Sequence, residues 1–274
     1  MLRTRSDADD LRAALVPGAC LVIVGAGLIG TEVASSARSL GCDVVVVGDD
    51  PAPLARILGP ALGSALAPRY REQAIELRLG GAVAGIARRA GRLVGVELAS
   101  GEIIAADVVL VAIGSIPASG WLERAGLARA GGVVCGADGS TASPGVVAVG
   151  DCALRTRPDG TARRDEHWTA ALRSAERGAR AILDGPRPVD ADREATDYIW
   201  SDQLGLQLQI AGTLPGGGSI VALDAQGLTA PFIGELGTGS LVGIVRAGRL
   251  AGVLAIDQPR SFGRWRRRVG AEIA

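Results

Sequence analysis

Six consecutive residues, Gly25-Ala26-Gly27-Leu28-Ile29-Gly30, constrain this chain more than any other part of it. They match G-x-G-x-x-G, a weak pattern when it stands alone. Here Leu21-Val22-Ile23-Val24 precedes it, a continuous apolar run of the kind buried on both faces of a parallel sheet. Helical spacing follows from about Ile29 to Leu40, Gly41 stops the helix, and Asp43 to Val47 is a second buried strand. Such a βαβ unit assigns each glycine a task. Gly25 makes the tight turn, Gly27 lets the backbone approach a pyrophosphate, and Gly30 lets the helix pack on the sheet. The free N–H groups and positive dipole end of the helix face the phosphates. Gly25 to Gly30, with Ala26, Leu28 and Ile29 among them, are therefore candidate contacts to NAD(H). The plain alternative is a glycine-rich strand–helix turn without a ligand.

An acid holding the adenosine ribose belongs about 20 residues further on. The second strand ends Val47-Gly48-Asp49-Asp50, so the expected place falls nearer Gly48. Asp49 is the candidate, against a plain turn aspartate. No Arg stands there to meet a 2′-phosphate, which favours NAD over NADP.

The rest of the chain alternates in the same style. Ser6 to Leu15 and Leu58 to Tyr70 have helical spacing, and Ile75 to Leu79 suits a short strand. Val83–Arg88, Leu93–Leu98 and Glu102–Ile104, separated by Gly91-Arg92 and Ser100-Gly101, predict a three-stranded antiparallel meander. Asp107 to Ile113 is again a continuous apolar strand, closed by Gly114. Val146 to Val149 predicts another buried strand, ending at Gly150-Asp151, and Pro158-Asp159-Gly160 a turn. Glu166 to Leu183 is helical by Ala170, Leu172, Ala175, Ala179 and Ile182. Short apolar strands and glycine turns run on from Tyr198, and Ser261 to Ile273 suits a closing helix.

Composition removes several kinds of chemistry. Every basic side chain but one histidine is Arg; there is no Lys, hence no Schiff base, P-loop lysine or lysine base. The formal net charge of zero favours neither nucleic acid nor an anionic membrane. Cys20, Cys42, Cys135 and Cys152 form no C-x-x-C and lie apart in sequence from His167, which argues against a metal site or dithiol pair. The polar N-terminus has no signal-type apolar region, and no apolar stretch nears the roughly 20 residues that span a bilayer. A cytoplasmic protein without membrane contact is expected.

Three further places carry chemistry-bearing residues. Asp151 follows an apolar run, where an aspartate accepts hydrogen bonds from a cofactor's hydroxyls or caps a turn. Glu166-His167-Trp168 holds the only histidine, more often a structural residue than a catalyst. No Ser or Cys neighbour suggests a nucleophilic triad, although a carboxylate, an imidazole and a large ring suit the wall of an aromatic cofactor site. Arg264-Trp265-Arg266-Arg267-Arg268 is a basic cluster, either a solvated helix face or a dock for an acidic partner.

Together these pieces resemble the FAD-dependent pyridine nucleotide-disulphide oxidoreductases of the ferredoxin reductase type, which serve monooxygenase and dioxygenase systems. The resemblance runs from about Leu2 to Trp265. It rests on Leu11 to Leu15, Gly25 to Glu32, Pro53-Leu54-Ala55-Arg56, Gly114 with Pro117, Trp121-Leu122-Glu123, Val149-Gly150-Asp151, Glu166-His167-Trp168 and Trp200-Ser201-Asp202-Gln203. The last two are more distinctive than the glycine motif. It implies an α/β fold: a Rossmann-like NAD(H)-binding domain with a β-meander over 1–124, part of a second, FAD-binding domain over 125–192, and a small α+β C-terminal domain over 193–274.

The resemblance also implies roles. Gly25, Gly27 and Gly30 bind NADH, with Glu32 near the nicotinamide side and Gly114 ending the strand that lines the dinucleotide crevice. Asp151 meets the FAD ribityl or phosphate region, and Glu166, His167 and Trp168 lie near the flavin ring. Trp200 belongs to the domain that faces the ferredoxin. The implied reaction passes hydride from NADH to FAD and then single electrons to a ferredoxin-type iron–sulfur protein. In the family a first FAD-binding βαβ unit precedes the NAD(H) unit; roughly 100 residues of it, a small domain's worth, have no counterpart here. Gly48, where the family often has an acid, is a second departure. A nucleotide-binding module without catalysis of its own is the alternative. An apolar face near Val146–Val149 and Glu166–Leu183 is expected, and with it a homodimer or a complementing FAD-domain chain.

Overall fold

A computed structural model of the chain describes every residue except 130, 157–159, 187–197, 225–228 and 274. The predicted Pro158-Asp159 turn and the boundary at 192/193 lie outside the described residues. The chain forms two compact units, one from Met1–Gly114 with Trp200–Ala274 and one from Ser115–Ile199.

In the first unit, helix α1 (Arg5–Ala14) opens with a capping box in which Thr4 and Asp7 satisfy each other's backbone N–H. Strand β1 (Cys20–Val24), helix α2 (Leu28–Ser39) and strand β2 (Asp43–Gly48) then make the expected βαβ unit. A short helix α3 (Ala55–Leu58) and helix α4 (Pro60–Glu72) lead to β3 (Ile75–Leu79). The meander is β4 (Val83–Arg89), β5 (Arg92–Leu98) and β6 (Ile103–Ala105), and β7 (Val108–Val111) returns to the first sheet. That sheet is parallel throughout, in the order β3-β2-β1-β7.

Burial explains the unbroken apolar runs. Leu21, Ile23, Val44 and Val46 face a core built with α2 and α4, while Val22, Val24, Val45 and Val47 face a second core closed by Val96 and Ile104 of the meander. Alternate residues thus serve opposite faces, and neither face is wet.

The same unit contains a six-stranded antiparallel sheet: β12 (Tyr198–Gln203), β13 (Leu206–Gly212), β14 (Ser219–Leu223), β15 (Thr229–Pro231), β16 (Leu241–Arg246) and β17 (Arg249–Ile256) in the order β12-β13-β17-β16-β14-β15. It shares its core with the βαβ layers: Leu204, Leu208, Ile210, Leu236 and Leu254 join Ala34, Leu58, Leu62, Leu66 and Tyr70 in one buried cluster. Helix α6 (Pro259–Trp265) ends in a 3₁₀ turn at Arg266–Arg268, shorter than the helix expected to Ile273. Ile273 instead donates its N–H to the Gly248 carbonyl, so the last residues return to the turn between β16 and β17.

The second unit has a small sheet of β8 (Ala128–Arg129), β9 (Gly132–Cys135), β10 (Ala153–Thr156) and β11 (Ala162–Arg163), with helix α5 (Trp168–Asp184). Val146 to Val149 does not form the expected strand. Val147 makes one isolated bridge to Ser140, and the neighbouring backbone bonds go to the turn at Gly139 and Thr141. The apolar run finds a turn as its partner, not a sheet edge. No described helix is long and apolar enough to cross a membrane.

Candidate functional site

The turn between β1 and α2 separates three glycines by cause. A Cβ on Gly25, at φ 109°, would lie 2.3 Å from the Ala112 carbonyl oxygen, and one on Gly30 would lie 2.2 Å from the Gly25 carbonyl oxygen. Both close contacts come from the chain's own packing. Gly27 differs: its φ of −79° suits any residue, and a Cβ there would meet nothing within 4 Å. Nothing in the chain requires glycine at that position, while an approaching ligand would.

Gly27 is the N-cap of α2 and supplies no side-chain cap, and the first turn holds no acid. The amides of Leu28, Ile29 and Gly30 therefore meet no intrahelical acceptor and present the positive end of the helix dipole. This open cradle fits a pyrophosphate.

Pro53-Leu54-Ala55-Arg56 is drawn to the cradle. Leu54, buried and left-handed at φ 56°, donates its N–H to the Ala26 carbonyl at 2.8 Å. That bend brings Arg56 back to the end of β2. Its Nε lies 2.9 and 3.1 Å from the two Asp50 oxygens, and its Nη2 lies 3.4 Å from Asp49 Oδ1. The guanidinium is held more firmly protonated, first by its hydrogen bond to Asp50. The expectation that no Arg stands near Asp49 is corrected: one does, seven residues on, where no linear spacing rule reaches. A Cβ on Gly48 would sit at ordinary contact distance, 3.8 Å, from Gly25.

Glu32, half-buried on α2, accepts a hydrogen bond from Ser201 Oγ at 2.6 Å. Gly114, at φ 113°, follows β7. Trp200 is partly exposed on β12, beside fully buried Ser201.

In the second unit, Gly150–Cys152 form a 3₁₀ turn packed against α5, with Gly150 N–H donated to Ser174 Oγ at 2.8 Å. Asp151 is exposed there, and its carbonyl accepts from Arg164 at 3.2 Å. Arg164 also pairs with Glu166 at 2.8 Å, and Glu166 accepts from Ser115. His167 is the N-cap of α5: its Nδ1 accepts the Ala170 N–H at 3.2 Å. Trp168 opens the helix and is 69% exposed. Trp168, Asp151 and the start of α5 leave a large ring and a carboxylate open beside a helix N-terminus, a donor and acceptor set that suits a flavin nucleotide.

Residues 1–175 match the pyridine nucleotide-disulphide oxidoreductase family. The chain belongs to that family. Residues 198–274 match the reductase C-terminal family. The chain is 35% identical to the benzene 1,2-dioxygenase system ferredoxin–NAD(+) reductase subunit of Pseudomonas putida, over 99% of its own length and 63% of that protein's. It is 36% identical to the ferredoxin reductase component of chlorobenzene dioxygenase from Cupriavidus sp., over 100% and 63%. Among solved structures it superposes on the covalent putidaredoxin reductase–putidaredoxin complex with a TM-score of 0.84 and 28% identity, covering 99% of this chain and 64% of that one. The chain thus spans just over three fifths of the length of these relatives. Its mixture of parallel and antiparallel sheets is that of the ferredoxin reductase fold.

Among the described residues, no group of three or more His, Cys, Asp or Glu side chains is placed to hold a metal. Four residues around the first site escaped the sequence reading: Arg56, Tyr70, Ser201 and Gln203. Arg56, Ser201 and Gln203 lie within recognised motifs, but their contacts come from the tertiary fold.

Proposed function

We propose that this chain binds NAD(H) on the Gly25–Gly30 cradle and serves an FAD-dependent reductase that delivers electrons to a ferredoxin-type iron–sulfur protein. The observation that carries the first part is Gly27, whose missing side chain opens space to a ligand and relieves no contact in the chain. The N–H groups of Leu28, Ile29 and Gly30 hold the pyrophosphate, and Ala26 lies in the turn beneath it. Asp49 takes the adenosine ribose, Glu32 the nicotinamide side, and Gly114 the wall of the crevice. Asp151 meets the ribityl or phosphate part of FAD, Glu166, His167 and Trp168 the ring region, and Trp200 the face toward the electron acceptor. FAD, when bound, supplies hydride acceptance and single-electron release, and the protein positions it. The domains assigned are 1–124, 125–192 and 193–274.

Gly27→Ser tests the cradle. Serine caps helices at least as well as glycine, so stability stays within a few tenths of a kcal/mol, while the hydroxymethyl fills the phosphate space. Calorimetric titration with NADH should lose at least about tenfold in affinity, roughly 1.4 kcal/mol. Unchanged affinity would remove the proposed site. Reconstitution with FAD tests the second half: bleaching of the flavin spectrum by NADH supports it, and failure to take up FAD, alone or with a complementing polypeptide, defeats it. A module that works with another polypeptide, or as a homodimer, is the second reading. It is favoured by Trp168, Leu172, Ile182 and Leu183, which expose an apolar stripe on α5. A monodisperse monomer in light scattering would count against the homodimer.

A further inference from the structure

Three buried side chains reach Glu32 from two distant parts of the sequence. Tyr70 Oη on α4 donates to Gln203 Oε1 at 2.5 Å, Gln203 Nε2 donates to Ser201 Oγ at 2.8 Å, and Ser201 Oγ donates to Glu32 Oε1 at 2.6 Å. Tyr70, Ser201 and Gln203 are 0%, 1% and 3% exposed. Ser201 and Gln203 share one face of β12, as residues two apart on a strand must. Just past the strand the Leu204 N–H is donated to Ser35 Oγ at 2.7 Å, which ties the end of β12 to the same helix once more.

The polarity of this chain of bonds is set by its members. Tyrosine brings one proton, so the carboxamide turns its oxygen to Tyr70 and its amino group to Ser201. With a lone pair of Ser201 occupied by that amino group, the serine proton goes to Glu32. Each link is short; the first two are buried and the third, to half-buried Glu32, is partly so, and an unmade bond costs the most where water is shut out. Burying three polar side chains to hold one carboxylate is expensive compared with an apolar seam, and apolar residues were available, since the surrounding cluster is leucine-rich.

We propose that Ser201, aligned by Gln203 and Tyr70, is a positioning residue that fixes the Glu32 carboxylate for the nicotinamide end of NADH, so that the C-terminal domain completes the dinucleotide site. The inference rests on the proposed reading of Glu32 as the nicotinamide-side carboxylate. It adds that the binding of the dinucleotide and the seating of β12 are coupled through a single hydroxyl.

The full chain is titrated calorimetrically with NADH and with ADP-ribose, which lacks the nicotinamide. Ser201→Ala should weaken NADH by about tenfold, the worth of a hydrogen bond to a charged group, and leave ADP-ribose unchanged. Ser201→Thr, which keeps the hydroxyl, should restore NADH to within about twofold. In a Glu32→Gln background Ser201→Ala should cost nothing further. Tyr70→Phe, which keeps the ring in the core, gives a second route should Ser201→Ala fold poorly; it should weaken NADH about threefold and again spare ADP-ribose. Equal losses for the two ligands, or a loss that persists undiminished with Glu32→Gln, would show a general loosening and overturn the inference. Wild-type NADH affinity in Ser201→Ala would overturn it too. A wild-type chain that binds neither ligand defeats the proposed function itself, and this inference with it.

Discussion

At the scale of single residues, the dinucleotide cradle shows how far glycine identity carries. The motif names three glycines, but only the structure separates Gly25 and Gly30, required by carbonyl oxygens of the chain, from Gly27, required by nothing inside it. Arg56 was out of reach for a different reason. Its place depends on Leu54 adopting a left-handed conformation that no propensity favours, fixed by one bond to Ala26. The consequence is a cation beside Asp49, at the proposed ribose end of the site, that is already engaged. Asp50, with its side chain only 20% exposed, holds Arg56 Nε with both oxygens, while Asp49 is largely in solvent. Asp50→Ala should therefore release the guanidinium toward a 2′-phosphate. Such a pair is worth up to about 1 kcal/mol, so the NADPH-to-NADH affinity ratio should rise about fivefold. An unchanged ratio in parallel titrations would mean that Arg56 does not face the ribose.

At the scale of elements, periodicity served well where one face or two faces of an element were buried by neighbours close in sequence. The βαβ unit, β3, the three-stranded meander and β7 all follow from apolar runs and glycine stops, because β1 and β2 are buried on both sides. It served poorly in the second unit. Helix α5 was legible, but its inward face was not. Ala170, Ser174, Gly178 and Ala181 are buried, while Trp168, Leu172, Ile182 and Leu183, which carry the larger apolar surface, are exposed. Packing picked the small residues: a Cβ on Gly178 would lie 2.6 Å from Val149 Cγ1, so the turn before Gly150 comes too close for anything larger. The N-terminus of α5 also reassigns the lone histidine. Since His167 Nδ1 caps Ala170 N–H, its first service is structural. His167→Ala should cost about 1 kcal/mol of stability, as the loss of a capping group does, and His167→Asn should retain most of it. Urea unfolding of the two variants separates them; equal midpoints would show that the cap carries no weight.

At the scale of the whole molecule, the C-terminal sheet is not an appendage to the parallel sheet and its helices, because their apolar side chains belong to one cluster. Sequence patterning locates both sets of strands and cannot show this, since the pairings join residues well over a hundred positions apart. One whole-chain property, however, was readable from composition and gains its meaning from the fold. Without lysine, the side chains that can titrate between the carboxylates and the arginines are one histidine, four cysteines and two tyrosines. Burial pushes Cys135 from the ordinary thiol value of 9.0 up to about 11, and Cys42 moves in the same direction for the same reason. Tyr70 is raised above its ordinary 10.0, first by burial. Each of these groups keeps its proton in the folded chain after the unfolded chain has lost its own. Stability is therefore fully present below pH 9.0 and falls as pH rises toward 11 through Cys135, with Tyr70 steepening the loss above 10.0. Urea midpoints measured under reducing conditions across this range should decline, and no lysine titration contributes to the slope. Cys135→Ala should flatten the decline between 9.0 and 11, and Tyr70→Phe the part above 10.0. A decline that is unchanged in both variants would place its source in the two remaining raised thiols, Cys20 and Cys42, and take Cys135 and Tyr70 out of the account.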